Sequence, residues 1–140
     1  MVVVTAIDGE EGSNRVLEEG EKLARQFDES LQIIFVYEPA SHAYLTNQYM
    51  EITSDPSDEE AVTLAEKRID DVVSDAIDEY EAIGKVGDPA EEILKHAGGV
   101  DARYIVIGGR SRSPVGKALF GSVTQSVLLD SDCPVLTILQ

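Results

Sequence analysis

Residues 104–122 read Tyr104-Ile105-Val106-Ile107-Gly108-Gly109-Arg110-Ser111-Arg112-Ser113-Pro114-Val115-Gly116-Lys117-Ala118-Leu119-Phe120-Gly121-Ser122. An apolar, β-branched run, Tyr104 to Ile107, ends on a glycine pair and reads as a buried strand. The loop from Gly108 to Gly116 is basic and rich in glycine and serine. A helix is expected from about Lys117 to Ser131. Glycine inside a helix costs about 1 kcal/mol, so a start near Ser122 is the other option, its hydroxyl then serving as cap or phosphate ligand. A strand feeding a glycine-rich turn and then a helix is the local grammar of an α/β protein, and the rest of the chain repeats it.

Upstream, Met1 to Ile7 is a second apolar run closed by Asp8-Gly9, and Ser13 or Asn14 caps a helix to about Asp28 with Val16, Leu17, Leu23, Ala24 and Phe27 on one face. Leu31 to Tyr37 is another buried strand. Residues 38–57 form an irregular stretch too long for a plain connector, with Tyr44, Tyr49 and Met50 available for a lid, a partner surface or local packing. Ser57 and Glu60 have the spacing of a capping box and open a long helix expected to reach about Tyr80, its apolar face running through Ala61, Leu64, Ala65, Ile69, Val72, Val73, Ala76 and Ile77. A short strand from about Ala82 to Val86 precedes Gly87-Asp88-Pro89, where Asp88 caps a helix that ends at Gly98-Gly99. The last strand is Pro134 to Leu139.

Strands that alternate with helices and are apolar throughout imply one domain over residues 1–140: a doubly wound open parallel sheet of five strands with helices on both faces. Such sheets bind ligands outside the carboxyl ends of their strands, where the strand order reverses. Ile7-Asp8-Gly9, Tyr37 to Tyr49, Gly87 to Ala90 and the basic loop, Gly108 to Gly116, all lie at those ends.

Charge selects the same loop. The chain carries 27 acidic and 11 basic side chains, a formal charge of −16, yet residues 102–129 contain no Asp or Glu and hold Arg103, Arg110, Arg112 and Lys117. That window is +4 and leaves −20 on the other residues, an arrangement suited to a small anion, since a local positive potential survives within a Debye length. Two buried strands and an interface helix would also lack acids, but would not explain four cations. The bulk negative charge excludes nucleic acid as a non-specific partner. With 43% hydrophobic residues the chain can bury a core, and no apolar run approaches the roughly 20 residues of a membrane span. No leader-like segment is visible, so a cytoplasmic location is expected. A −20 surface suits a protein working in concentrated salt, as in a halophile. The lone Cys133 reads as a small buried hydrophobe, and His42 and His96 as separate surface residues. No Walker loop is present, because Ala118 follows Gly116-Lys117 where a Ser or Thr is required. No nucleophile, base and orienter stand at motif spacing, and no structural metal is implied.

The whole chain resembles the universal stress protein family. The nucleotide-binding branch of that family carries G-x-x-G, nine residues, then G-[ST], after a late strand; here Gly108 is the first glycine, Arg112 to Phe120 the nine residues, and Gly121-Ser122 the end. Asp8-Gly9 with Ser13, Gly87-Asp88-Pro89-Ala90 with Ile93-Leu94, and Cys133-Pro134-Val135-Leu136 are further similar blocks. The resemblance implies an ATP site, with or without Mg, in which Asp8 and Val36 line the adenosine pocket. Gly108 sits by the ribose and phosphates, and Gly121, Ser122 and Val123 supply phosphate-binding amides and a hydroxyl. The second motif glycine falls on Ser111, which strains the loop or loses a backbone contact; Arg110, Arg112 and Lys117 can offset this by charge-assisted bonds. For Val36 core packing is the competing role, and for Asp8 a turn-forming one. The resemblance also implies a homodimer; separately, the last strand, Val135 to Leu139, is apolar and at a sheet edge would need a partner.

Two functions follow. One is an adenine-nucleotide (ATP) binding stress-response sensor or regulatory module, not an efficient enzyme. The other is a dimeric interaction protein of the same fold that binds no nucleotide, and Ser111 favours it. A nucleotide hydrolase lacks a visible base or metal constellation beyond Asp8.

Overall fold

The computed structural model describes residues 1–8, 13–39, 57–109 and 120–139. Five strands, β1 (Val2–Ala6), β2 (Ser30–Tyr37), β3 (Glu81–Val86), β4 (Tyr104–Gly109) and β5 (Val135–Leu139), form one sheet. Their order is β3-β2-β1-β4-β5 and all neighbouring pairs are parallel. Among the described residues four helices alternate with them: α1 (Ser13–Gln26), α2 (Asp58–Val73), α3 (Pro89–Gly99) and α4 (Ser122–Asp130). This is the expected doubly wound α/β sheet. The order reverses between β1 and β4.

Side chains alternate across each strand and divide the core in two. Val3, Ile33, Phe35 and Val106 face α1 and α2, where Val16, Leu17, Ala61, Ala65 and Ile69 meet them. Val4, Ile34, Val36, Ile105 and Ile107 face the other way, against Ala90, Ile93 and Ala97 of α3 and Val127 of α4. Close approach requires glycine at position 20, where an added Cβ would lie 2.1 Å from Oγ1 of the fully buried Thr5.

The helix starts at Ser57 and Asp88 match expectation. The Ser57 hydroxyl accepts the Glu60 N–H at 3.2 Å while the Glu60 carboxylate accepts the Ser57 N–H at 3.1 Å. Asp88 accepts the Glu91 N–H at 3.0 Å, with Pro89 in the first turn. Helix α2, by contrast, ends at Val73 and not near Tyr80. Ser74 turns to φ 49°, its N–H bonded to Asp70 O, and the chain leaves the helix there. Ser and Asp at 74 and 75 are poor helix formers, while Ile77 still reaches the core, 6% exposed, from the turn that follows. Apolar spacing alone cannot separate that arrangement from two more helical turns. The start of the irregular stretch at Glu38 and Pro39 is described; His42, Tyr44, Tyr49 and Met50 lie outside the described residues.

Candidate functional site

The reversal point lies between β1 and β4, and the two strands stop pairing at their carboxyl ends. Their pairing runs from Val3–Tyr104 to Ala6–Ile107 and stops, while β4 continues beside β5 through Gly108–Ile138 and Gly109–Leu139. The Ile7 N–H closes the β1–β2 ladder on Ile34 O, at 3.1 Å. The two central strands therefore part where parallel sheets hold ligands. Asp8, exposed, stands on one side of the parting and Gly108 on the other.

Glycine at position 109 lets the β5 side of the parting close up. A Cβ there would lie 2.9 Å from Leu139 Cδ2, 3.2 Å from Thr137 Cγ2 and 3.3 Å from Phe120 Cδ1. Phe120 thus packs over the end of β4 and delivers Gly121 to the start of α4. Gly121 is the N-cap, at φ −68° and ψ 165°, and no side chain caps it. The first helical bond is Gln125 N–H to Gly121 O, at 3.0 Å, so the N–H groups of Ser122, Val123 and Thr124 have no intrahelical carbonyl. Such a terminus favours an anion through its free donors and its dipole. The Thr124 hydroxyl ties this terminus to the strand, donating to Gly108 O at 2.8 Å.

Of the sequence-derived site residues, Asp8, Gly108, Gly121, Ser122 and Val123 fall at this end of the sheet. Ser122 is exposed and is the first helical residue; the cap is Gly121, one position earlier than the hydroxyl-cap expectation. Val36 is 7% exposed and packed into the core on the α3 and α4 side, the role that competes with pocket lining. Arg110, Ser111 and Arg112 lie outside the described residues, as does Lys117.

Arg103 does not belong to the basic window in space. It precedes β4, at the opposite end of the sheet, where its Nε donates to Glu29 Oε1 at 2.8 Å and its guanidinium sits 4.6 Å from the Phe27 ring centroid. Linear sequence cannot say which end of a strand a charge occupies until the strand is placed. His96 is likewise not a free surface residue: it is half-buried, its Nε2 2.7 Å from Gln32 Oε1, and Gln32 in turn donates to Glu81 Oε2 at 3.0 Å. Burial, then the positive charge of Lys85, hold the imidazole below its usual value against the opposing pull of Glu81. Cys133 is half-buried and takes its place beside Ser131, in partial agreement with the buried role.

Two residues of this region escape a reading of the sequence. Thr124 looks there like an ordinary helix position. Arg15, in the first turn of α1, reaches across to Leu139 O at 2.7 Å and brings a cation to the carboxyl end of the sheet. Its position shortly after Asp8 is the available signal. Among the described residues no group of three His, Cys, Asp or Glu side chains is placed to hold a metal ion, and no described helix is long and apolar enough to cross a membrane.

Comparison with known proteins agrees with this architecture. Residues 1–138 match the model of the universal stress protein family. A universal stress protein of Thermus aquaticus is 30% identical, over 97% of this chain and 96% of that protein. The structure of a universal stress protein from Archaeoglobus fulgidus superposes with a TM-score of 0.63 at 28% identity, covering 99% of this chain and 98% of the other. A structure of an Archaeoglobus fulgidus universal stress protein in complex with dAMP superposes at TM-score 0.58 and 23% identity, over 99% and 97% of the two chains.

Proposed function

Since the chain belongs to the universal stress protein family, we propose that it binds an adenine nucleotide, ATP above all, in the crevice between β1 and β4 and serves as a sensor or regulatory module of the stress response. The observation that carries this reading is the meeting of two features at the reversal point. The strands part after Ala6 and Ile107, and the N-terminus of α4, uncapped by any side chain, faces the same end of the sheet. A structural neighbour solved with dAMP supports the choice of an adenine ligand. In this reading Asp8 flanks the adenosine part, Val36 supports it from the core, and Gly108 sits by the ribose. The amides of Gly121, Ser122 and Val123 take the phosphates. Arg110, Ser111 and Arg112, which follow Gly109 in the sequence, add charge and hydrogen bonds. Magnesium is placed on the nucleotide's own phosphates. The protein acts by occupancy and not by turnover, in the cytoplasm.

A thermal-shift panel on nucleotide-free protein tests this reading. ATP, ADP and dAMP are expected to raise Tm in a concentration-dependent way, as mass action on the folded state requires. Equal shifts with inorganic phosphate alone would argue against an adenine site, and no shift with any adenine nucleotide at low or molar salt would reject it.

We further propose a homodimer joined along β5. That strand is an edge of the sheet, and Leu128 and Leu129 on the neighbouring helix are 38% and 75% exposed; an apolar edge of this kind calls for a partner. Monomeric sedimentation at high protein concentration would contradict it.

A further inference from the structure

One buried hydroxyl joins the start of α4 to the end of β4. We propose that Thr124 is a positioning residue: it clamps the first turn of α4 to the end of β4 and thereby sets affinity for the phosphate end of the ligand. The proposal rests on the nucleotide reading above. Thr124 is 6% exposed, and its Oγ1 donates to Gly108 O at 2.8 Å. The geometry of β4 explains why that carbonyl needs a partner. Ile105 N–H donates to Pro134 O on the β5 side, and by the alternation of a strand the backbone groups of Gly108 turn toward β1. Strand β1 has stopped pairing by then, its last partner being Ile107. The Gly108 carbonyl is left beyond the ladder, and the Thr124 hydroxyl takes the place of the missing strand.

Two consequences follow for an anion in the crevice. The bond fixes the distance between the strand end and the free amides at the start of α4, so those donors are held in place before ligand arrives. It also occupies a carbonyl oxygen whose negative end would otherwise repel phosphate at close range. Both effects grow with the number of phosphates. An adenosine moiety that spans Asp8 and the core beneath it feels neither strongly.

The test is calorimetric titration of wild type, Thr124→Val and Thr124→Ser with ATP, AMP and adenosine. Thr124→Val keeps the shape and deletes the donor; it is expected to weaken ATP about tenfold, AMP less, and adenosine by no more than about threefold. Thr124→Ser restores the donor and is expected to recover ATP affinity to within about threefold of wild type. Amide hydrogen exchange on the ligand-free proteins supplies a readout without nucleotide: in Thr124→Val the Gln125 amide is expected to exchange faster while amides of β1 and β2 do not. An equal loss for all three ligands, unchanged ATP affinity in Thr124→Val, no rescue by serine, or unchanged exchange at Gln125 would each overturn the clamp. If Thr124→Val does not fold, Thr124→Ala replaces it with the same expectations. Wild type that binds no ATP overturns the nucleotide reading and with it the phosphate role, an outcome distinct from wild type that binds while Thr124→Val is indistinguishable from it.

Discussion

The two ends of the sheet are built from different materials. At the amino ends of the strands, side chains close the structure. Arg103 pairs with Glu29, whose side chain is 10% exposed, and stacks on Phe27, which in turn meets the Tyr104 ring at 5.7 Å. Gln32 bridges His96 and Glu81, and the Tyr80 hydroxyl donates to Asp70 at 2.7 Å, burial and that bond pushing the phenol up to about 12. At the carboxyl ends, the described structure around the crevice is largely backbone: Gly108, Gly109, Gly121 and the first amides of α4, held by Thr124. Side-chain networks spend their donors and acceptors on one another. The amides released at the start of α4 keep theirs for a ligand. The difference separates an end of the sheet tied together by side chains from one whose free donors are backbone amides.

Substitutions at the two ends should therefore separate stability from binding. The largest effect is expected from Gly121→Val. A φ of −68° is open to any residue, so the fold loses only about 1 kcal/mol, while a branched side chain over the free amides is expected to lower ATP affinity by roughly 30-fold or more, about 2 kcal/mol. Titration calorimetry beside a melting curve measures both; retained affinity would move the phosphates elsewhere. Arg103→Met is the converse case. It leaves the buried Glu29 carboxylate without its partner, and because Arg103 itself is 37% exposed the cost is discounted to about 1–2 kcal/mol, or roughly 4–8 °C in Tm. Nucleotide affinity should not change, and a matching loss of affinity would break the separation of the two ends.

Salt acts on the whole surface. With a net charge of −16, self-repulsion opposes the compact state and is screened at molar ionic strength, so Tm is expected to rise by several degrees between low and 1 M KCl. A flat or falling Tm would contradict that view of the acidic surface. The smallest expected effect belongs to His96. Its imidazole is held below the ordinary value in the folded chain, chiefly by burial, so the folded state takes up its proton later than the unfolded chain. The stability tied to the neutral ring is present above about pH 6.5, the unfolded value, and is lost as pH falls below it. Wild type should lose stability relative to His96→Gln between pH 7.5 and 5.5, by less than the Arg103→Met shift. Parallel pH profiles for the two proteins would show that the ring is not held neutral.

Local rules make much of this fold legible in the sequence. Apolar runs mark the five strands, and Ser57 with Glu60 and Asp88 with Pro89 mark two helix starts because capping involves neighbours three residues apart. The reversal of strand order and the position of Gly108 and Gly121 near it follow from topology. What stays hidden depends on distant partners or on local breaks that periodicity cannot see. Arg15 meets Leu139 across 124 positions, Gln32 meets His96 across 64, and Arg103 groups with the loop cations along the chain although the strand carries it to the other end. The end of α2 at Ser74 is masked by Ile77, which keeps the helical spacing while sitting in a turn. Thr124 gives no local signal because its partner is a carbonyl 16 positions earlier, on another element.

Amide chemical-shift mapping during titration with ATP reads both ends of the sheet at once and so locates the nucleotide. Saturable shifts are expected at Gly108, Gly109, Gly121, Ser122 and Val123, with Glu29, Gln32 and Tyr104 unmoved. Shifts concentrated at the latter three residues, or none at the carboxyl end at saturating ATP, would contradict that location.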